Sequence, residues 1–399
     1  MKILAVLPYA PSLIRVRPYN LLRKLARRHD ITLLIVGARP PDDELVSLWE
    51  ITDRVHFIPM DRPGIAVSCL RAAILGEPLQ AAVHRTGAVR TSLAQLLADD
   101  RFDVVHVEHL RAAFVEPWLP RDLPRVFDAV DSISLLWERT KQSSHSAMRR
   151  AIAAMELQPT RRYEARLMSA FDEVAVTSPE DAAVLQGMAP AAPITVIPNG
   201  VDLDYFRPID GPREEKTVVF SGKMSYHANV TGILHFVERV LPLVRAAVPD
   251  VRLRIAGSQP PPEVQTLAND PAIEVTGQLP DLRPAIGGAT AAICPVIVKV
   301  GVQNKILEAM AMGVPVIASL QGAVGLEAAP GQALLVGADP SEFARHTVAV
   351  LTDAPLRNRL IEAGRRYVER THRWEVMADS FEALYLRAVA RHTPRVQSV

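Results

Sequence analysis

The chain has 399 residues, of which 49% are apolar and 22% charged, and its formal net charge at pH 7 is +1. That length predicts two domains, because one hydrophobic core rarely organises so many residues. The near-neutral charge gives no argument for nucleic-acid binding, and no run reaches the roughly 18 apolar residues of a membrane span. Cys69 and Cys294 have apolar neighbours and no metal-binding or redox spacing, which favours reduced core residues in a cytoplasmic protein.

Apolar strands alternate with amphipathic helices, a pattern typical of parallel sheets covered by helices on both faces. Residues 2–8 form the first buried strand rather than a signal peptide, because Pro8 and Pro11 interrupt the apolar run. A long helical stretch is predicted over 132–169, and a strand at 173–177 is predicted to close the sheet. The other predicted elements of the first half are a helix at 18–28 and strands at 31–36, 55–59, 104–107 and 125–127.

The second half repeats this strand and helix order after a crossing point at 194–202, where Pro-Asn-Gly is a strong turn signal. Its predicted strands are 218–221, 252–256, 273–276, 291–295, 314–318 and 333–336. Its predicted helices are 231–247, 263–269, 304–312 and 340–352, followed by a terminal helical region over 355–390.

The segment 301–319, GVQNKILEAMAMGVPVIAS, predicts a loop, a short helix and a buried strand. Gly313 lies where a left-handed helix C-cap is expected, and Pro315 follows it as a stop. Lys305 and Glu308 are three residues apart, so both reach the same side of the helix N-terminus. A helix N-terminus beside a lysine favours a phosphate, and a glutamate can accept hydrogen bonds from sugar hydroxyls. These features suggest a nucleotide-sugar site, the alternative being an ordinary solvated pair on an amphipathic helix.

The pattern G-x-x-x-K-x-x-E-A-M-A-x-G-x-P-V in this segment resembles the donor-binding element of retaining glycosyltransferases of family 4. The resemblance covers nearly the whole chain and is strongest over 198–319. It implies the GT-B fold, in which two Rossmann-like doubly wound α/β domains face each other across a cleft. The implied acceptor domain is 1–192, the implied donor domain is 193–374, and a helix at about 375–392 is expected to pack back on the first domain.

The turn at Gly222 and Lys223 resembles the family's Gly-Arg turn, where a basic residue after glycine binds the donor phosphate. Glycine lets the backbone approach a ligand, and lysine offers a compact charge to a pyrophosphate. The family's second lysine, six residues later, falls here on Asn229, so Lys305 is expected to supply that charge. The alternative for this segment is a plain turn in which Asn229 caps the next helix.

The family's common motif has two glutamates, and the position of the first is Val300 in this chain. By resemblance, Glu308 contacts the nucleotide ribose, whereas the missing first glutamate contacts the donor hexose. Backbone amides of Gly301, Val302 and Gln303, next to Asn304 at the helix start, are expected to replace that contact, because a loop ending at a helix N-terminus offers free N–H groups.

Polar residues also follow the predicted strand 104–107 of the first half. The family often has His-x-His here, and in this chain the second histidine position is Glu108, with His109 next to it. A carboxylate can orient or deprotonate an acceptor hydroxyl, and histidine is the other obvious proton carrier. The alternative is a strand-end ion pair without a chemical role, and the sequence does not separate the two.

Three further residues are acceptor-side candidates. Asp131 follows the predicted strand 125–127 and is expected to face the acceptor. The alternative is that Asp131 or Ser132 only caps the next helix. Arg15 and Arg17 follow the first strand and contact an acceptor phosphate or the donor pyrophosphate, or are simply solvated.

The first half is locally basic. In related enzymes such helices contact anionic lipid when the acceptor is lipid-linked, which predicts a peripheral position at the inner face of the membrane. The nearby Glu156 and Glu164 favour instead a plain solvated face. The basic residues are Arg23, Lys24, Arg27, Arg28, Arg149, Arg150, Arg161, Arg162 and Arg166.

The resemblance implies transfer of a hexose from a nucleoside diphosphate sugar to a sugar, lipid-linked or small-molecule acceptor, with retention, in glycan, glycolipid or glycosylated metabolite biosynthesis. No cofactor is expected, and no metal, because no predicted strand is followed directly by an Asp-x-Asp motif of the metal-dependent sugar-transferase type. Two alternatives remain: a nucleotide-sugar epimerase of the same fold, and a nucleotide-binding scaffold without catalysis, which Val300 motivates.

Overall fold

The computed structural model describes residues 1–12, 15–37, 39–60, 62–143, 146–298, 301–326 and 331–393. The chain divides into two compact units, one formed by Met1–Pro198 with the chain from Trp374 onward, the other by Asn199–Arg373. No helix among the described residues is long and apolar enough to span a membrane.

The first unit contains a seven-stranded parallel sheet in the order β3-β2-β1-β4-β5-β6-β7. Its strands are β1 (Lys2–Leu7), β2 (Asp30–Val36), β3 (Val55–Ile58), β4 (Val104–Glu108), β5 (Arg125–Val130), β6 (Glu173–Val176) and β7 (Ile194–Val196). Alternate residues of β1 enter different cores, since Leu4 and Val6 pack on one face of the sheet and Ile3 and Ala5 on the other. The first sheet is therefore buried on both faces, as predicted.

Ten α-helices of the described chain belong to this unit. They are α1 (Val16–Leu25), α2 (Asp42–Trp49), α3 (Arg62–Leu75), α4 (Leu79–Ala82), α5 (Gly87–Asp99), α6 (His109–Ala112), α7 (Ile133–Ser143), α8 (Ala147–Ala170), α9 (Pro179–Met188) and, from the end of the chain, α17 (Trp374–His392). A 3₁₀ helix over Ala113–Trp118 follows α6. The last helix packs on α1 and on β4 to β6, where the Tyr385 hydroxyl lies 2.9 Å from Nδ1 of His106.

The second unit has a six-stranded parallel sheet in the order β10-β9-β8-β11-β12-β13. Its strands are β8 (Glu214–Ser221), β9 (Arg252–Ala256), β10 (Ile273–Gly277), β11 (Ala289–Cys294), β12 (Val316–Ser319) and β13 (Leu335–Gly337). Its α-helices are α10 (His227–His235), α11 (Leu241–Ala247), α12 (Pro262–Gln265), α13 (Arg283–Gly287), α14 (Asn304–Ala311), α15 (Pro340–Thr352) and α16 (Ala354–Thr371). A π turn at Phe236–Val240 joins α10 to α11, and a 3₁₀ turn at Thr266–Asn269 follows α12.

Each sheet begins in the middle, extends to one edge and then reverses to the other, which makes both units doubly wound. The reversal falls between β1 and β4 in the first sheet and between β8 and β11 in the second. In open sheets of this type, ligands bind outside the carboxyl ends of the strands at that switch point. The topology therefore predicts ligand sites at the residues after β8 and β11, and at those after β1 and β4.

The structure corrects several predicted boundaries. The domain boundary after residue 192 is wrong, because β7 pairs with β6 and belongs to the first sheet. For the same reason the strand at 173–177 does not close that sheet. The helix predicted over 132–169 is two helices, α7 and α8. The terminal region over 355–390 is also two helices, because the backbone leaves the helical conformation at His372, with φ −129° and ψ 26°.

Candidate functional site

Two glycines bring the ends of β8 and β9 close together in the second unit. Gly222 has φ +142° and Gly257 has φ +150°, conformations that residues with a side chain rarely adopt. A Cβ atom on Gly257 would lie 1.8 Å from the carbonyl oxygen of Gly222, which no real structure tolerates. Glycine is thus required at Gly257 for packing, and Gly222 leaves the backbone accessible after β8.

Lys305 lies beside this turn. Its Nζ donates a 2.5 Å hydrogen bond to Oδ1 of Asn229 and lies 4.3 Å from the ring centroid of Phe220. A Cβ atom on Gly222 would be 3.3 Å from the same Nζ. Burial lowers the pKa of Lys305, and the opposing effect of Glu308 is smaller. The structure thus holds a partly desolvated cation at the switch point, where the sequence expected it to replace the family's second lysine.

Asn229 does not cap α10, contrary to the alternative interpretation of this turn. The cap residue is Tyr226, and Asn229 lies in the first turn of the helix. Its Nδ2 donates to the carbonyl oxygen of Lys223 at 2.9 Å while its Oδ1 accepts from Lys305. Asn229 therefore ties the backbone of the Gly222 turn to Lys305. The Lys223 side chain is exposed, and no described residue pairs with its ammonium group.

Glu308 and Lys305 do not form a solvated surface pair. Both side chains are partly buried, and no ion pair within 4 Å joins them in the part of the chain that the structure describes. Burial raises the pKa of Glu308 to about 7, an effect that the nearby Lys305 partly offsets. No described residue donates a hydrogen bond to this carboxyl group. The carboxyl group of Glu308 is therefore a partly buried hydrogen-bond acceptor without a donor among the described residues, one turn after the start of α14.

The loop before α14 leaves the helix N-terminus open. Val300 lies outside the described residues. Gln303 is the cap residue, but its side chain makes no capping bond and instead donates to the carbonyl of Gly301 at 2.9 Å. Gln303 gives α14 no side-chain cap, and the N–H of Ile306 bonds to the carbonyl of Gln303. The N–H groups of Asn304 and Lys305 have no partner among the described residues and remain for a ligand.

Asn304, the first residue of α14, accepts a 3.2 Å hydrogen bond at Oδ1 from Nδ2 of Asn199. Asn199 belongs to the Pro-Asn-Gly segment, which the sequence indicated only as a turn. Val302, which precedes the cap residue, packs partly buried against the neighbouring core. The donor-side residues Gly222, Asn229, Lys305 and Glu308 are thus gathered at one edge of the second sheet.

Glu108 is the last residue of β4 in the first unit, at the switch point of that sheet. Oε1 accepts a 3.1 Å hydrogen bond from the Tyr9 hydroxyl, and Oε2 is buried without a hydrogen-bond partner in the described chain. Burial, reinforced by Asp128 and offset by Arg17, raises the pKa of Glu108 to about 8. No described residue forms an ion pair with it, which argues against the strand-end ion pair.

His109 begins α6 with a left-handed backbone, φ +64°. Its Nδ1 accepts from the N–H of Arg111 at 3.2 Å, and burial lowers its pKa to about 3, with Arg111 acting in the same direction. An imidazole with so low a pKa is a weak base near neutral pH. Between the two predicted proton carriers, the electrostatics therefore favour Glu108.

Arg17 is not an exposed phosphate ligand. Its guanidinium forms a bidentate pair with Asp128, Nε to Oδ2 at 2.7 Å and Nη2 to Oδ1 at 3.0 Å, and both side chains are buried. Nη1 also donates to the carbonyl oxygens of Ile197 and Pro198. These partners occupy the guanidinium, so the predicted contact with an acceptor or donor phosphate is wrong for Arg17. Arg15 is exposed, and its guanidinium carbon lies 4.4 Å from the ring centroid of Tyr9.

Asp131 is not the cap of α7. Its Oδ1 accepts from the Thr177 hydroxyl at 2.9 Å, and burial, with nearby Asp181, raises its pKa. The cap contacts come from Ser132, whose hydroxyl accepts from the N–H of Leu135 at 3.3 Å, and from Glu164, which accepts from the N–H of Ile133 at 2.6 Å.

Two glutamates expected on a solvated face are instead buried. Glu164 caps α7, and Glu156 accepts from the N–H of Leu79 at 3.1 Å. Each carboxylate thereby satisfies helix amides that would otherwise lack a partner.

Comparison with protein-family models gives two matches. Residues 15–205 match the family described as Glycosyltransferase Family 4, and residues 215–353 match that described as Glycosyl transferases group 1. The search of curated proteins found no match to this sequence.

Solved structures with the same fold include several glycosyltransferases. Sucrose-phosphate synthase from Thermosynechococcus elongatus has a TM-score of 0.69 at 18% identity, over 98% of this chain and 100% of that one. HepE of Anabaena in complex with UDP and glucose has a TM-score of 0.66 at 13% identity, over 96% and 98%. A glycosyltransferase from Rickettsia africae has a TM-score of 0.67 at 15% identity, over 97% and 98%.

At these identities the structural likeness shows the fold and nothing finer. The two family matches together cover most of the chain, and each corresponds to one of the two doubly wound units. The protein therefore belongs to the family 4, group 1 glycosyltransferases, which have the GT-B fold.

Proposed function

We propose that this glycosyltransferase moves a hexose from a nucleoside diphosphate sugar, bound at the carboxyl edge of the second sheet, to an acceptor hydroxyl with retention of configuration. The observation that carries the proposal is the position of Lys305, held by Asn229 beside the Gly222 turn and the uncapped start of α14. A desolvated cation next to free helix amides is suited to a diphosphate. UDP is the first nucleotide to test, because HepE of Anabaena has been solved in complex with UDP.

In the proposed reaction the acceptor oxygen bonds to the anomeric carbon on the face from which the nucleotide leaves. The glycosidic bond to the β-phosphate breaks, and the departing phosphate takes the acceptor proton. No dedicated nucleophile is required, so the protein contributes electrostatic support through Lys305, Lys223 and the start of α14. Glu108, whose pKa burial raises to about 8, would hold the acceptor hydroxyl on the first unit.

Glu308→Gln is expected to keep the fold and to weaken nucleoside diphosphate binding by about 1.5–3 kcal/mol, the range for hydrogen bonds to charged groups. Because burial raises the pKa of Glu308 to about 7, its charged form becomes populated as pH rises through neutrality. Calorimetry should therefore show wild-type affinity increasing from about pH 6 to about pH 8, with this increase absent in the variant. The matched control is Glu362→Gln, an exposed glutamate of α16. Unchanged affinity in Glu308→Gln would remove Glu308 from the site.

Transfer is expected to proceed in EDTA. The two lysines and the start of α14 would supply the charge that a divalent ion supplies to the diphosphate in metal-dependent transferases. The measurement is the initial rate of sugar transfer before and after chelation. Loss of activity in EDTA that Mn²⁺ or Mg²⁺ restores would overturn this part of the proposal.

The two alternative functions differ from transfer in what happens without an acceptor. An epimerase would convert the donor in its absence, whereas a scaffold would bind nucleotide and transfer nothing across a broad acceptor panel. The proposal of sugar transfer also includes the acceptor class, the biosynthetic process, a cytoplasmic location and contact with a membrane. Some of the basic residues first considered for that contact are paired, since Lys24 pairs with Glu375 and Arg161 with Glu138, and Arg28 pairs with Asp379.

A further inference from the structure

A cavity of about 380 Å³ lies where β8 and β11 begin, at the opposite edge of the second sheet from the donor site. Because the Gly222 turn follows the far end of the eight-residue strand β8, roughly 25 Å along this strand separates the cavity from that turn. The cavity is therefore not part of the donor site. The residues that line it are Arg213, Glu215, Lys216, Thr290, Leu351 and Arg357.

Two of the three cations that line this cavity have no acidic partner among the described residues. Arg213 donates through Nη2 to the carbonyl oxygen of Gly313, and Arg357 donates through Nη1 to that of Val350 at 2.9 Å. The N–H groups on Nε and Nη1 of Arg213, and on Nε and Nη2 of Arg357, bond to no described residue. Burial lowers the pKa of Arg213, and the nearby Arg357 acts in the same direction. Two like charges are thus held near each other without a carboxylate of the described chain to compensate them.

The third cation, Lys216, has an unusual backbone conformation. Residues 215–217 of β8 face the single residue Thr290 of β11, which makes a β-bulge, and Lys216 in its centre has φ +57°. A left-handed conformation is uncommon for lysine, and bulges are over-represented next to active sites, where they re-aim a side chain. The Thr290 hydroxyl donates to the carbonyl oxygen of Glu214 at 2.7 Å, which holds the bulge in place. Strand β8 therefore departs from regular pairing at the point where Lys216 lines the cavity.

The nearby acids compensate little of this positive charge. Glu214 is engaged by Arg254 through two hydrogen bonds of 2.9 Å. Asp250 pairs with Lys216 at 2.7 Å, but both side chains are exposed, so solvent weakens the pair. Glu215 is the only carboxylate among the six lining residues, and it bonds to no described residue. Three cations and one unpaired carboxylate therefore line a single cavity.

We propose that this cavity binds a sugar phosphate. The phosphoryl group would pair with Arg213, Lys216 and Arg357, because guanidinium and ammonium groups both bind phosphate oxygens. Glu215 would accept hydrogen bonds from the sugar hydroxyls.

The size and lining of the cavity favour this class of ligand. Its volume falls within the range of small-molecule sites and exceeds what a phosphate ion alone would fill. None of the six lining residues is aromatic, so a nucleotide base would have no ring on which to stack. Because the cavity is at the other edge of the sheet, the proposal does not depend on the donor site.

The test is calorimetric titration of the full chain with glucose 6-phosphate and with glucose 1-phosphate, repeated in excess UDP. At least one of the two is expected to bind, whereas glucose should not bind and inorganic phosphate should bind more weakly. Lys216→Asn should weaken the binding about tenfold, because asparagine tolerates the left-handed backbone but lacks the charge. Arg357→Gln should weaken it by a similar factor.

Two control variants isolate the effect of the cavity. Asp250→Asn removes the acid that pairs with Lys216, so binding should be unchanged or tighter. Arg366→Gln changes an exposed cation on the same helix as Arg357 and should have no effect. Circular dichroism shows which variants are folded. If Arg357→Gln is unfolded, because its side chain bonds to the end of α15, Lys216→Asn alone decides.

Three results would overturn the proposal: no binding of either sugar phosphate to the wild type, equal binding by all variants, or binding that excess UDP abolishes. Inorganic phosphate that binds as tightly as both sugar phosphates would overturn the assignment of a sugar to the cavity.

Discussion

Lys305→Ala is expected to lower kcat/KM for sugar transfer by about 10²–10³-fold, the usual effect of removing one donor aimed at charge that develops in the transition state. Negative charge accumulates on the β-phosphate as the glycosidic bond breaks. Lys305 is the partly buried cation beside the Gly222 turn, so its field is less screened than that of a surface charge. Binding of the free nucleoside, which lacks phosphates, should change much less.

Lys223→Ala is the matched comparison. Its ammonium group is exposed, so solvent screens it more, and a smaller loss of kcat/KM is expected. The double variant should lose less than the sum of the single losses if both lysines address one diphosphate. Near-wild-type rates for both single variants would place the phosphate site elsewhere, with the exposed Arg15 as the next residue to test.

Arg17→Met is expected to lower the free energy of unfolding by about 3–5 kcal/mol, because it leaves the buried Asp128 carboxylate without its partner. Urea denaturation measures the loss. Arg17→Met/Asp128→Leu should recover part of it, since no uncompensated charge then remains. The matched control is Arg345→Met, whose ion pair with Glu342 is at the surface and contributes less than about 1 kcal/mol. A loss that small for Arg17→Met would contradict the structural role of the pair.

The stability of the Arg17 variant should also depend on pH. In the folded protein burial raises the pKa of Glu108 from 4.5 to about 8, and Arg17 opposes this shift. Between these two pH values the unfolded chain releases the proton while the folded chain retains it, so stability falls as pH rises. Removing Arg17 raises the folded pKa of Glu108 further, and the variant should therefore lose more stability at pH 8 than at pH 5. Equal losses at both values would show that Glu108 and Arg17 are not coupled.

Local patterns in the sequence determined the architecture and the α14 motif. Alternating strands and helices predicted two parallel sheets, because each element must bury an apolar face. The C-cap at Gly313 is confirmed: its φ is +68°, and the N–H of Val314 bonds to the carbonyl of Ala309 at 2.8 Å. Such features depend on a few neighbouring residues, so composition and spacing are sufficient to find them.

Only the tertiary structure decided which polar groups meet. Asp128 lies 111 residues after Arg17, and Lys305 lies 76 residues after Asn229. Contacts between residues so far apart in the chain produce no periodic sequence pattern. For this reason Arg17 was expected to bind a phosphate and Asn229 to cap a helix. The exposure of α3, in which only Ala72 is buried, is a tertiary property too, because an apolar helix has the same sequence pattern whether or not a neighbour covers it. Sequence determined most of the strands but not the helices α2 to α5, whereas packing determined which charges are paired and which surface remains open.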